Sequence, residues 1–98
     1  MALRVVWTKE AEDQLDEIIA YLESNWTNRE ISNFFERLEK SINQIRTNPN
    51  TFKNSERKPN TKEFQLSKQT TLFYSFDERT VNILLLWSNR MNPEDLKN

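Results

Sequence analysis

The chain has 98 residues, 30% of them charged, and a formal net charge of −1. It contains no Cys, His or Gly, which excludes disulfides, thiol nucleophiles, thiolate and imidazole metal sites, and the glycine loops that cradle phosphates. The charge is segregated: residues 1–45 carry nine acidic and five basic side chains and residues 46–69 carry six basic and two acidic, so two surfaces with different partners are expected.

A chain of this length makes one small domain, 1–98,. Residues 3–7 (LRVVW) predict a strand with Leu3, Val5 and Trp7 on one face,. Thr8 then caps a helix, with Glu10, Glu12 and Asp13 near its positive end,. Ala11, Leu15, Ile18, Leu22 and Trp26 form its apolar stripe, widened by Ile19,. Thr27-Asn28-Arg29-Glu30 has the form of a capping box and opens a second helix,. Ile31, Phe34, Phe35, Leu38, Ile42 and Ile45 lie on one side of that helix, and Asn48-Pro49 ends it,. The two helices therefore make an antiparallel hairpin with almost no loop.

Residues 49–61 (PNTFKNSERKPNT) read as a long polar loop. Alternation then predicts three strands, around Phe64 and Leu66, around Leu72, Tyr74 and Phe76, and around Val81, Ile83, Leu85 and Trp87,. Lys68-Gln69 and Glu78-Arg79 fit as the turns. The order β-α-α-β-β-β implies an α+β domain, an antiparallel sheet with the two-helix hairpin packed on one face.

The last strand, NILLLW, is apolar on both sides. Simple alternation turns Leu84 and Leu86 away from Ile83 and Leu85, and Phe73 joins them on that second face. One helical layer covers only one side of a sheet. Either the C-terminal tail or a partner chain should cover the other.

Three groups of side chains are candidates for function. Arg46, Lys53, Arg57, Lys58, Lys62 and Lys68, with Arg90, could neutralise phosphates or meet an acidic protein surface; the alternative is a solvated loop. Glu12, Asp16, Glu23, Glu36 and Glu39 are the wet faces of the two helices, and no carboxylate pair among them makes a catalytic dyad. Trp7 and Trp26 lie on apolar stripes and are expected in the core, while Trp87 either caps the core or helps to line a site. No catalytic residue, cofactor or metal ligand is identified. The opening MALRVVWTKE is too short in apolar run for a signal peptide, and no stretch approaches a membrane span, so the cytoplasm is the expected location.

The segment VVWTKEAEDQLDEIIAYLESNW, the second helix, TLFYSF and the ending ILLLWSNRMNPEDL together resemble the RelE/ParE family of bacterial type II toxins, over nearly the whole chain. The resemblance implies a small cytoplasmic toxin held inactive by a cognate antitoxin, with a homodimer or a hetero-oligomer containing the antitoxin as the assemblies to look for. Phe73, Leu84 and Leu86 are then the antitoxin-binding candidates. Arg57, Lys58, Lys62, Lys68 and Arg90 are the candidates for binding the target or a phosphate.

Two activities occur in that family. RelE-like members cleave messenger RNA in the ribosomal A site, and ParE-like members poison DNA gyrase. Cleavage through a ribose 2′-OH needs a cationic clamp and an acid for the leaving oxygen. The family's frequent Arg before the third-strand aromatic falls at Thr71, and its C-terminal His or Tyr falls near Ser88; its late Arg is present as Arg90. Lys58, Lys62 and Lys68 remain for a clamp and Glu63 or Tyr74 for proton transfer, although Tyr74 alternates with core residues. The expectation is therefore a ParE-like toxin that binds a protein target such as DNA gyrase. A ribosome-dependent mRNA endoribonuclease, and an inactive homologue that only binds antitoxin, are the alternatives.

Overall fold

Two threonines place the helices. In the computed structural model, which describes residues 2–88, β1 (Arg4–Trp7) runs into an extended Thr8 whose Oγ1 accepts the Ala11 N–H at 3.1 Å, and α1 (Lys9–Asn25) follows. Thr27 repeats the device. Its Oγ1 accepts the Glu30 N–H at 3.3 Å and Glu30 accepts the Thr27 N–H at 3.5 Å, so the capping box read from the sequence opens α2 (Asn28–Thr47),. Each helix buries one stripe: Ala11, Ile18 and Leu22 on α1, and Leu38, Ser41 and Ile45 on α2.

Four further strands complete a sheet: β2 (Lys53–Asn54), β3 (Lys62–Gln65), β4 (Thr70–Phe76) and β5 (Thr80–Ser88), in the spatial order β1-β5-β4-β3-β2. The stripes of both helices pack with Leu66, Leu72, Tyr74, Val81, Ile83 and Leu86 in one core. The sheet is mixed rather than wholly antiparallel, because β1 pairs in parallel with β5, Arg4 opposite Thr80 and Trp7 opposite Ile83. The helices make an out-and-back excursion whose end returns to the start of β1: the Leu3 N–H donates to the Arg46 carbonyl at 3.0 Å and Arg46 Nε to the Leu3 carbonyl at 2.8 Å. From there β3 runs with β1, and two hairpin reversals give β5 that same direction. The expected 49–61 loop also contributes β2, whose two residues pair with Glu63 and Lys62 and are too few to show an alternation.

One irregularity redistributes the second apolar face. Phe73 opposes Leu85 while Tyr74 opposes Ile83, so Leu84 is an extra, unopposed residue: a β-bulge,. Beyond it the alternation of β5 is reversed. Leu86 opposes Leu72 and is completely buried on the helix side, which corrects its expected place beside Phe73. Leu85, expected under the helices, instead joins Phe73 in a second cluster with half-buried Leu84 and Trp87. Phe73 and Leu85 are themselves buried. The C-terminal tail considered as a cover for this face lies outside the described residues.

Trp26 is also not where its spacing suggested. It is 41% exposed, because it caps α1 in an extended conformation (φ −132°, ψ 165°) and so leaves the helical stripe. Trp7, by contrast, packs half-buried against the main core. The glycine-free β4–β5 turn is built on Asp77, whose Oδ1 accepts the N–H groups of Arg79 and Thr80 at 2.8 Å each and the Thr80 hydroxyl at 2.9 Å. Those hydrogen bonds hold the Asp77 carboxyl below its ordinary value,. Among the described residues, no helix is long and apolar enough to cross a membrane.

Candidate functional site

The candidate cations have different commitments. Lys62 is engaged in the fold: its Nζ donates to the Phe52 carbonyl at 2.9 Å and to Asn54 Oδ1 at 2.8 Å, which ties β2 to β3. It is poorly placed to serve as a phosphate clamp. Arg57 and Lys58 stand in the β2–β3 loop. That loop turns without glycine by using Asn60 at φ 57°, a left-handed conformation that Asn tolerates well,. Ser55 Oγ accepts the N–H groups of both Arg57 and Lys58 at 3.1 Å, the Ser55 N–H donates to the Thr61 carbonyl at 2.7 Å, and the Thr61 hydroxyl donates to the Pro59 carbonyl at 3.0 Å.

This fixed loop brings the Arg57 guanidinium to the helix-free side of the sheet, 5.9 Å from the centroid of the Trp87 ring, within the reach of a cation–π contact. Lys68 is exposed in the β3–β4 turn, where Ser67 Oγ accepts the Gln69 N–H at 3.3 Å. Arg90 lies outside the described residues.

The residues considered for proton transfer are not assembled for it. The Tyr74 hydroxyl is wholly enclosed and donates to the Pro49 carbonyl at 2.6 Å. Burial pushes its pKa up to about 12, so at neutral pH it is a neutral phenol that locks the end of α2 to the sheet. Glu63 opposes Phe73 and is half-buried on the helix-free side. Thr71 opposes Trp87 and Ser88 opposes Thr70. Alternation therefore puts Thr71 on the helix-free face and Ser88, 1% exposed, on the helix side,. The two positions that the family resemblance marks for RNA chemistry look away from each other. Among the described residues no group of His, Cys, Asp or Glu could hold a metal ion.

The family profile described as ParE toxin of type II toxin-antitoxin system, parDE, matches residues 5–93. The chain belongs to the ParE toxin family. This ParE-family protein is thus the toxin component of a type II toxin–antitoxin module, and such a module implies a cognate antitoxin as its partner. Its fold is similar to that of a solved structure described as the chromosomal ParDE TA system from P. aeruginosa, with a TM-score of 0.73 over 89% of this chain and 96% of that chain. The two are 14% identical, so the likeness is one of fold. No curated protein matches the sequence.

Sequence reasoning missed two features of the ParE-family toxin. The first is the bulge at Leu84, which decides which leucines reach the helix-free face. A run of three leucines carries no mark of where an extra residue enters. The second is the hairpin apex, where exposed Trp26 borders a cavity of about 280 Å³ with Leu22, Phe34, Arg37 and Gln69. Its signal was present: a Trp immediately before a capping box sits past the end of its helix.

Proposed function

We propose that this ParE-family toxin arrests growth by binding a protein target, DNA gyrase, and performs no covalent chemistry of its own. The observation that carries this reading is the separation of Thr71 from Ser88 onto opposite faces of the sheet. Neither side chain is a strong acid or base. With Tyr74 engaged at Pro49 and Lys62 engaged at β2, no clamp and proton donor meet around a common point among the described residues. A toxin built this way acts by occupying a surface, and Lys58 in the β2–β3 loop and Lys68 in the β3–β4 turn are the side chains proposed to meet the target.

The antitoxin is proposed to cover the helix-free face at Phe73, Leu84 and Leu85, with Leu85 taking the place first given to Leu86. Phe73 and Leu85 are already buried, so the partly exposed Leu84 and Trp87 of this cluster supply the surface to be covered, each contributing less than the ~1.5–3 kcal/mol of a fully exposed side chain, before ordering costs. The Arg57–Lys58 loop adjoins that face, so a bound antitoxin would also screen Lys58 from the target.

The test has two arms. Production of the toxin without antitoxin should stop growth and raise the DNA-damage response. Purified toxin should block supercoiling by purified gyrase or trap it on cleaved DNA. Codon-positioned cuts in mRNA with normal gyrase activity would replace this reading with the endoribonuclease one, and unimpaired growth would leave only antitoxin binding.

A further inference from the structure

The indole Nε1–H of Trp87 is buried and has no hydrogen-bond partner among the described residues. Buried donors are nearly always satisfied, so an orphan of this kind needs an explanation. Over the ring that carries it lies the Arg57 guanidinium, 5.9 Å from the ring centroid. Among the described residues Arg57 pairs with no carboxylate; the ion pairs there are Lys9–Asp13 and Lys40–Glu36. One ring thus carries an orphan N–H and has a full positive charge over it, and among the described residues neither donor meets an acceptor. Both belong to the helix-free side, where Trp87 packs against Phe73 and Leu85.

We propose that Arg57 and Trp87 form a carboxylate-binding site that receives an Asp or Glu side chain of the antitoxin, from a segment whose apolar residues pack on the partly exposed Leu84, above buried Phe73 and Leu85. The proposal rests on the reading of that face as the antitoxin surface and adds the anchoring group. A carboxylate suits the pair because it has two acceptor oxygens, one for the Trp87 N–H and one for the guanidinium, and charge-assisted bonds of this kind are the strong ones. The surroundings favour a single carboxylate within an apolar peptide over a nucleic acid. Phe73, Leu84 and Leu85 offer nothing to a run of phosphates,. Arg57 can follow the ligand without disturbing the sheet, since its loop is tied down through Ser55 rather than through the guanidinium.

The experiment titrates the full-length, ¹⁵N-labelled toxin with a synthetic peptide alternating Leu and Glu, and with its Leu and Gln counterpart. The indole resonance of Trp87 is assigned by its loss in Trp87→Phe. The Glu peptide should move that resonance downfield and bind roughly tenfold or more tighter than the Gln peptide. Trp87→Phe and Arg57→Gln should each erase that preference, Phe keeping the ring for packing. Equal binding of the two peptides, an unmoved resonance, or a preference that survives both substitutions overturns the carboxylate site. So does a short oligouridylate that moves the resonance where the Glu peptide does not. A Glu preference lost in Arg57→Gln, with the affinity of both peptides unchanged by Leu84→Ala, overturns the packing half of the proposal and supports the anchoring half, so the two are separately decided.

Discussion

The Gln14 side-chain carbonyl accepts the Leu86 N–H at 2.8 Å across 72 positions of sequence. The bond exists because β1 stops at Trp7, opposite Ile83. Beyond that point β5 has no strand on this side, and the first turns of α1 take over: the Thr8 hydroxyl donates to the Leu84 carbonyl at 3.1 Å and Gln14 receives Leu86. An exposed strand edge is thereby covered by a helix, one of the usual ways in which edges are protected from pairing with other chains.

Gln14→Leu should therefore cost more than a helix-surface change. It keeps the helix propensity but leaves a backbone N–H on a completely buried residue without its acceptor, a loss of about 1–3 kcal/mol. Urea denaturation should show a lower midpoint with an unchanged slope. A midpoint equal to that of the parent would mean that water replaces the carboxamide.

Lys58 and Lys62 should separate when they are changed singly. Lys62→Met removes the two bonds that tie β2 to β3 and should lower stability by about 1–2 kcal/mol. Lys58→Glu breaks no side-chain bond among the described residues and should shift stability by no more than about 0.5 kcal/mol, while weakening growth arrest. Thermal melts alongside a plating assay distinguish the two. Full toxicity of Lys58→Glu would remove that residue from the target surface.

Tyr74 gives the fold an alkaline limit. Its phenol ionises near pH 10 in the unfolded chain and is pushed up to about 12 by burial in the folded one. Above pH 10 the unfolded state loses its proton first, so the stabilising contribution is whole below pH 10 and disappears as pH rises through 12. Tyr74→Phe should lose the bond to the Pro49 carbonyl, about 1 kcal/mol at pH 7,, and should show a flatter decline in stability between pH 10 and 12. Equilibrium unfolding of both proteins across that range checks the sign.

The helices were legible because their signals are local. Thr8 and Thr27 lie at cap positions, and the capping box needs only four residues of sequence to be recognised,. The sheet was legible in strand content but not in pairing. Nothing in RVVW says that it will run parallel to a strand more than seventy residues later, and Lys53-Asn54 is too short for a pattern. The site was the least legible part. Lys62 is chemically a fine phosphate ligand, and only the folded chain shows its ammonium held by Phe52 and Asn54. Likewise Arg57 and Trp87 lie far apart in sequence and meet because a loop crosses the helix-free side.

Leu84 and Leu86 supply the sharpest contrast, because simple alternation makes them equivalent and the bulge makes them opposites. Leu86 faces the helices at 0% exposure, so Leu86→Ala should open a cavity and cost about 2–5 kcal/mol. Leu84 is the unopposed residue and only half-buried beside Phe73. Leu84→Ala should cost less, about 1–2 kcal/mol of stability, since part of its surface already meets water,. Its effect should fall instead on the antitoxin, whose affinity should drop by roughly tenfold if one aliphatic contact of about 1.4 kcal/mol is lost. Chemical denaturation of the toxin and calorimetry of the complex measure the two quantities independently. Equal destabilisation by both substitutions would place Leu84 in the core and undo the register; an unaltered antitoxin affinity in Leu84→Ala would move the antitoxin off this face.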